Sequence, residues 1–525
     1  MALVFADETQ LRLHQNTVLQ VKTIATAIAT AGQPVTTLRL DAGRAWTQTR
    51  RPTGSLLQME TPAATAAIRG TDWDIRVEPD GRTLLTVLSG TVDFGNEQGR
   101  IAVGANEAAY AEVGKAPIKL VLGQPRDRVQ WVNALQADPL PHLAATPLPA
   151  ALGPVRAALA AHDLDAARTA LEQARASAPP QWAAAMEAAI ALQAGDWRSA
   201  RDLLARQLQG QAPLPVWLMQ SDLQLIDGEG MDAIRTLQRA LQQWPAHPAL
   251  LAQLARAQLL SDRVPEAEAT LATAQGVANP DLVLARAVLA RRLGDAPATL
   301  AAYTDATTLA PQDARGWLGL GSVYTEREDT GPARKTLQQA LALDPHVAGA
   351  QGERGTLETF ANRFAEAESA FSSALEDHPA DYVALTGLGL LRLKQGQPQA
   401  ALDAFLRAGV MEPRYARART WTAVAYYQLG RHQDAITTLQ QASALDEKDP
   451  IPYMLLAQIY TDLFQPGEAV QAARAAVTRM PYLKSLNQLA NDQKGSANLG
   501  ASLAFFGMED WALELAQQSF SPYWG

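Results

Sequence analysis

Along residues 1 to about 134, apolar and polar side chains alternate with the period of a strand. Trp73, Ile75 and Val77 alternate with Asp72, Asp74 and Arg76, so apolar groups take one face and charges the other. Pro79-Asp80-Gly81 follows, a turn in which proline presets φ and glycine accepts positive φ. The next run holds Leu85 and Val87, breaks at Gly90 and resumes with Val92 and Phe94. A second turn, Gly95 to Gly99, leads into Ile101 and Val103. The pattern begins almost at once, with Leu11, Leu13 and then Val18 to Val21, and the stretch Val21 to Ala31 is too Thr-rich and short to be a firm helix. Short strands parted by turns predict an antiparallel or coiled all-β domain. Asp72 and Asp74 share a strand face at a spacing compatible with a cation or an acid–base pair. With no third ligand nearby, the expectation is solvated charge on an exposed face.

Residues 135 to 151 carry four prolines in QADPLPHLAATPLPAA. Repeated X-Pro units disfavour helix at the preceding residue, which predicts an extended linker between separable domains. Beyond it the chain becomes rich in Ala, Leu and Gln, and one interval recurs. Ala333, Ala367, Ala401, Ala435 and Ala469 stand 34 residues apart. In the same register come Leu337, Phe371, Phe405, Leu439 and Ala473, then Ala340, Ala374, Ala408, Ala442 and Ala476. Pro345, Pro379, Pro413, Glu447 and Pro481 follow, and Gly321, Gly355, Gly389, Ala423 and Ala457 precede. Looser equivalents upstream are Ala167, Ala200, Ala233, Ala267 and Thr299.

This register resembles the tetratricopeptide family, with Trp317, Leu320, Gly321, Tyr324, Ala333, Leu337, Ala340 and Pro345 matching its usual pattern. The resemblance implies antiparallel helix pairs stacked as a superhelical solenoid over residues 152–481. A further helical repeat and a C-terminal connection are expected in 482–525, about eleven pairs in all by the spacing. Small residues then let neighbouring backbones approach, which makes packing their first role. The family's concave groove is lined by the first helix of each pair. Carried over by register, the lining is Arg315, Leu318, Ser322 and Thr325, then Thr356 and Thr359, then Val383, Thr386 and Leu390. Arg417, Thr420, Val424 and Tyr427 follow, and Met454, Gln458 and Thr461 complete it. The Lys/Asn/Arg clamp with which some members grip a terminal carboxylate is absent, so an extended peptide or a partner's surface suits this lining.

The β segment resembles the FecR domain through Thr61-Pro62, Arg69-Gly70-Thr71, Trp73, Asp80-Gly81-Arg82-Thr83, Val87, Gly90 and Val92. The resemblance covers about residues 3 to 122 and implies a solenoid-like β domain in a cell-envelope setting. Family members usually carry more sequence before the equivalent of Phe5, so residues 1–134 are expected to be an N-terminally shortened domain. Arg69-Gly70-Thr71 is read as a strand-entry turn rather than a ligand site. The segment Pro125 to Trp131 resembles proteins in which the two parts are fused, and the end SFSPYWG resembles the start of a connection to further, barrel-type sequence. The fold class expected is α+β multidomain: an all-β FecR-like domain, then an all-α tetratricopeptide superhelix.

Composition narrows the function. Hydrophobic residues are 47% and charged residues 19% of 525, which excludes a wholly disordered chain. A net charge of −9 argues against a generally basic nucleic-acid binder, and no cysteine means no disulfide, thiolate metal site or cysteine nucleophile. No stretch approaches the roughly 20 apolar residues of a membrane-spanning helix. The seven histidines are scattered, and there is no P-loop, G-x-S-x-G or G-x-G-x-x-G. No cofactor, metal or catalysis is expected. The leading reading is a periplasmic or outer-membrane-associated scaffold whose groove binds a protein or extended peptide, an outer-membrane component among the partners. The rivals are a sensor taking a small ligand or glycan on the β domain, and an envelope enzyme with an unrecognised site.

Overall fold

The computed structural model describes residues 1–5, 8–24, 35–49, 56–120, 137–327 and 329–479, together with 510 and 513. The chain falls into two compact units, Met1–Val277 and Ala278–Gly525.

The first unit opens with a ten-stranded sheet. Two long central strands, Thr65–Val77 and Thr83–Asn96, pair antiparallel, and Val35–Gln48 pairs with Thr65–Val77 on the other side. Among the described residues the one parallel pairing joins Val35–Gln48 to Leu56–Glu60. The alternation read from the sequence holds, since Trp73, Ile75, Leu85, Val87, Val92 and Phe94 are all fully buried. Gly90 does not end its strand. At φ 77° it lets Thr83–Asn96 turn a corner and continue.

Three expectations for this unit change. Asp74 is 3% exposed and takes a double hydrogen bond from Arg44 Nε at 2.9 and 3.0 Å. Asp72 accepts from Trp46 Nε1 at 2.6 Å. Alternation shows that a strand has two faces; it does not show that one is open, and here register places Trp46 opposite Asp74 and Gln48 opposite Asp72. Arg69-Gly70-Thr71 is not a strand entry. It lies inside Thr65–Val77, where the register with the neighbouring strand slips between Arg69 and Asp72. Thr71 is buried, and its backbone exchanges hydrogen bonds with Thr49. Asp80 and Gly81 do form the expected turn: Gly81 has φ 83°, and Asp80 Oδ1 accepts from the Arg82 amide at 3.1 Å.

The third correction concerns the proline-rich stretch. Pro139–Ala144 is an α-helix, because Asp138 caps it by accepting from the Leu140 amide at 2.9 Å and proline opens the first turn. Leu143 in it is fully buried. The β domain also touches the helical part of this unit. Gln15 Nε2 donates to Asp227 Oδ1 at 3.0 Å, Arg198 donates to Asn16 Oδ1 at 3.2 Å, and Arg201 holds the same Asp227 carboxylate at 2.5 Å.

Ten helix pairs are described, from Gly153–Ala160 with Leu164–Ala174 to Ile451–Asp462 with Pro466–Val477. The periodic alanines Ala333, Ala367, Ala401, Ala435 and Ala469 are fully buried. At Gly355 and Gly389 a Cβ would stand 2.4 Å from the rings of Phe371 and Phe405, so glycine is required for the two helices to touch. First helices pack on one another from Gly153–Ala160 to Pro248–Leu260 and from Ala314–Glu326 to Ile451–Asp462, and in stacked helix pairs that shared face is the inner wall. The eleventh pair, the stretch 482–525 and the segment Pro125 to Trp131 lie outside the described residues, 510 and 513 excepted.

Candidate functional site

The first helices of the second unit bring a chain of polar groups to their inner wall. Helix Pro280–Leu293 supplies Arg291, helix Ala314–Glu326 supplies Ser322 and Glu326, and helix Ala350–Phe360 supplies Glu353. Arg291 Nη2 lies 2.7 Å from Glu326 Oε2 and donates to Ser322 Oγ at 3.1 Å. Ser322 Oγ donates in turn to Glu353 Oε1 at 2.9 Å. Three consecutive pairs are thus joined by one relay.

The relay stops at an open end. Glu353 is 7% exposed, and among the described residues its Oε2 has no hydrogen-bond partner. Burial pushes the Glu353 carboxyl above its ordinary range, against the pull of Arg417 and Arg291. Arg417 stands in the first turn of helix Ala416–Gln428 and hydrogen-bonds Tyr415. Burial disfavours its charge, yet Tyr415, Glu353 and Glu326 outweigh burial and hold the guanidinium more firmly protonated than usual. Among the described residues no carboxylate lies within ion-pair distance of it. Beside it, the Tyr382 and Tyr415 rings meet edge to face, centroids 4.9 Å apart. Burial raises both phenols, so each keeps its proton as a donor. The Arg417 guanidinium thus stands beside the Tyr382–Tyr415 pair and within electrostatic reach of the Glu353 carboxyl. Such a set can hold a carboxylate and an adjoining N–H of a bound chain. Among the described residues no three His, Asp or Glu side chains are grouped as a metal would need.

The comparisons agree with this architecture. The family model described as FecR protein matches residues 1–93. Tetratricopeptide-repeat models match residues 225–292 and, in five overlapping stretches, 284–483. The chain is a FecR domain joined to a tetratricopeptide array. Superkiller protein 3 of Schizosaccharomyces pombe is 32% identical over 109 residues, 21% of this chain and 8% of that one. Anaphase-promoting complex subunit 3 of the same yeast is 24% identical over 160 residues, 30% of this chain and 24% of that one. The chain thus spans a quarter or less of the length of these relatives. Among solved structures, the Cut9–Hcn1 hetero-tetramer of that complex is similar with a TM-score of 0.45 at 16% identity, over 73% of this chain and 88% of that one.

The tetratricopeptide register places the expected groove residues unevenly. Ser322, Thr386, Leu390 and Met454 are buried in the array's own packing, at 7%, 2%, 5% and 3% exposure. Thr386 donates back to the Tyr382 carbonyl, and Leu390 packs in the cluster of Phe405. Thr325, Thr356, Thr359 and Thr420 are buried in the same way. Arg315 is held by Asp313 at 2.6 Å and by Asp281 at 2.9 Å, so it fastens one first helix to the one before. Leu318 packs beside Leu337. Arg417, Val424, Tyr427 and Gln458 remain at least partly open, with Tyr427 and Gln458 both donating to Asp462. First-helix register alone names a helix face wide enough to include both lining and helix-to-helix contact. Glu353, Arg291, Tyr382 and Tyr415 were not singled out by sequence. The signal was available: Glu353 occupies the register position of Gly319 and Gly387, and Arg291 that of Thr325 and Thr359.

Proposed function

We propose that this FecR–tetratricopeptide chain is a non-catalytic scaffold of the bacterial cell envelope that binds a segment of a partner protein along the inner wall of its second unit. The observation that carries this is the open end of the relay. A buried Glu353 oxygen and an Arg417 guanidinium that find, among the described residues, no hydrogen-bond partner and no direct counter-ion respectively are costly to keep unless something completes them. A peptide carboxylate on Arg417, with a neighbouring N–H on Glu353, completes both. The setting in the envelope rests on the FecR match, and an outer-membrane component is one partner of this kind. Among the described residues no helix is long and apolar enough to cross a membrane.

The test is selection from a random peptide library on the immobilised full chain, followed by titration of the selected peptides. Selected sequences should carry a carboxylate, and Arg417→Ala should weaken their binding at least tenfold. Glu353→Gln should weaken it less, because the amide keeps one acceptor. Peptides that bind Arg417→Ala and the native chain equally would sink the assignment.

A further inference from the structure

The inner wall of the first unit already has an occupant. The helix Pro139–Ala144 packs against Gly153–Ala160, Pro180–Gln193 and Leu214–Ile226, which are the first helices of three successive pairs. It lies where a ligand of the array would lie. Its two anchors differ in chemistry. Leu143 is fully buried among the apolar residues of those helices, with Pro139 buried beside it. His142 Nε2 lies 2.6 Å from Asp222 Oδ2. Asp222 is 3% exposed and is set from both sides, accepting from Gln253 Nε2 at 2.7 Å and Arg256 Nη1 at 2.8 Å, both on the next first helix, Pro248–Leu260. Burial alone would raise the Asp222 carboxyl; Arg256 and His142 outweigh it and hold the acid ionised.

The occupant is weakly built in itself. Six residues with two prolines cannot sustain a helix without the wall behind them, since isolated helices shorter than about 12 residues are marginal. Its order therefore comes from the wall, and short elements of this kind open locally before the repeats beneath them do.

We propose that the first-unit wall is a second peptide-binding groove, closed by the chain's own segment Asp138–Thr146. The partner that opens it is a protein segment of the same chemistry: a proline-led helical turn carrying a histidine or another hydrogen-bond donor for Asp222, followed by leucine for the apolar seat. The segment is tethered, so it competes at an effective concentration of about a millimolar, and a free partner binds well only once the segment is displaced. The inference rests on reading the inner wall as a peptide-binding surface, but it concerns different repeats and residues from the Arg417 site.

The probe is a labelled synthetic peptide of residues 137–149, ADPLPHLAATPLP, titrated onto the full-length chain. Leu143→Asp expels the segment by placing a charge in the apolar seat and beside Asp222. That variant should bind the peptide at least tenfold more tightly than the native chain, and adding Asp222→Asn should remove the gain. Should Leu143→Asp fail to fold, His142→Ala leaves the seat intact and should still raise peptide affinity several-fold. Equal binding by the native chain and whichever of these variants folds would overturn the proposal, as would a gain that survives Asp222→Asn. Neither result bears on Arg417, whose selected peptides are titrated separately on the same proteins.

Discussion

Gly355 and Phe371 allow the packing of the array to be tested by a change of sign. Phe371 is 1% exposed, and the three atoms nearest a Cβ built on Gly355 are all in its ring, at 2.4, 2.6 and 2.8 Å. Gly355 sits within helix Ala350–Phe360, so alanine there carries a propensity advantage of about 1 kcal/mol. Against that stands overpacking, which costs about 1–3 kcal/mol when a ring cannot move. Phe371 cannot retreat, since a Cβ on Gly387 of the next first helix would meet the same ring at 2.4 Å. Gly355→Ala should therefore destabilise the native array by up to about 2 kcal/mol, the difference of those two effects. Phe371→Ala alone should cost about 3–5 kcal/mol. With the ring gone, the obstacle to Cβ is gone and the propensity gain remains, so Gly355→Ala should stabilise the Phe371→Ala chain by about 1 kcal/mol. Repeat arrays need not unfold as one unit, so the measurement is native-state hydrogen exchange of amides in 350–377 rather than a single melting midpoint. If Gly355→Ala costs the same in both backgrounds, the glycine is not there for the ring and the contact argument fails.

Three further outcomes are expected. Ala367→Leu should overpack a fully buried crossing by about 1–3 kcal/mol and lower exchange protection near residue 367 while leaving residues 1–120 unchanged; protection lost in the β domain would contradict nearest-neighbour stacking. Arg44→Met should cost about 3–5 kcal/mol in the β domain by taking the guanidinium from the buried Asp74 carboxylate, read as a lower midpoint in urea, and an unchanged midpoint would mean the pair contributes nothing. Two glutamates of helix Ala350–Phe360 should give opposite pH dependences. Burial raises Glu353, so the stability tied to it is present below the ordinary glutamate range and declines as pH rises through its folded value. Glu358 is held low by Arg334 and Arg363 against burial, so its stability is present above that range and is lost as pH falls. Glu353→Gln should flatten the first dependence and Glu358→Gln the second, followed by exchange of the same helix across pH; one variant flattening both would show that the two sites titrate together.

The fold was legible where a period was enforced by many residues at once. The alanines at 34-residue intervals and the alternation around Trp73 each repeat one packing requirement, so a single substitution such as Thr299 leaves the pattern readable. Thr299 keeps the position by turning its hydroxyl back to the Asp295 carbonyl at 2.7 Å. What the period does not carry was less legible. Around Pro139–Ala144 four prolines signal an extended chain, while the helix depends on a single capping residue, Asp138. Asp72 and Asp74 looked solvated because their partners, Trp46 and Arg44, arrive from a strand more than twenty residues away. Of the relay, Ser322 is among the expected lining residues, while Arg291 and Glu353, which reach it from neighbouring pairs, are not. Glu353 stands where Gly319 and Gly387 stand in the neighbouring repeats and Arg291 where Thr325 and Thr359 do, so both depart from the period that makes the array legible.

The seat of the FecR domain on Asp227 has a mechanical consequence. Asp227 closes the helix Leu214–Ile226, and Gly228 beyond it turns the hairpin at φ 75°. Arg201 clamps that carboxylate from within the array while Gln15 reaches it from a β turn. A push or twist on the β domain therefore enters the array at a hairpin corner partway along the stack and need not travel through the connecting chain at residue 137. The corner is thus a point at which load can pass between the β domain and the array. Its grip depends on charge and hydrogen bonds, which yield to salt and load sooner than the buried alanine crossings. Under tension the domain should swing free at the corner before any repeat unwinds, so the array is protected by the weakness of its own attachment.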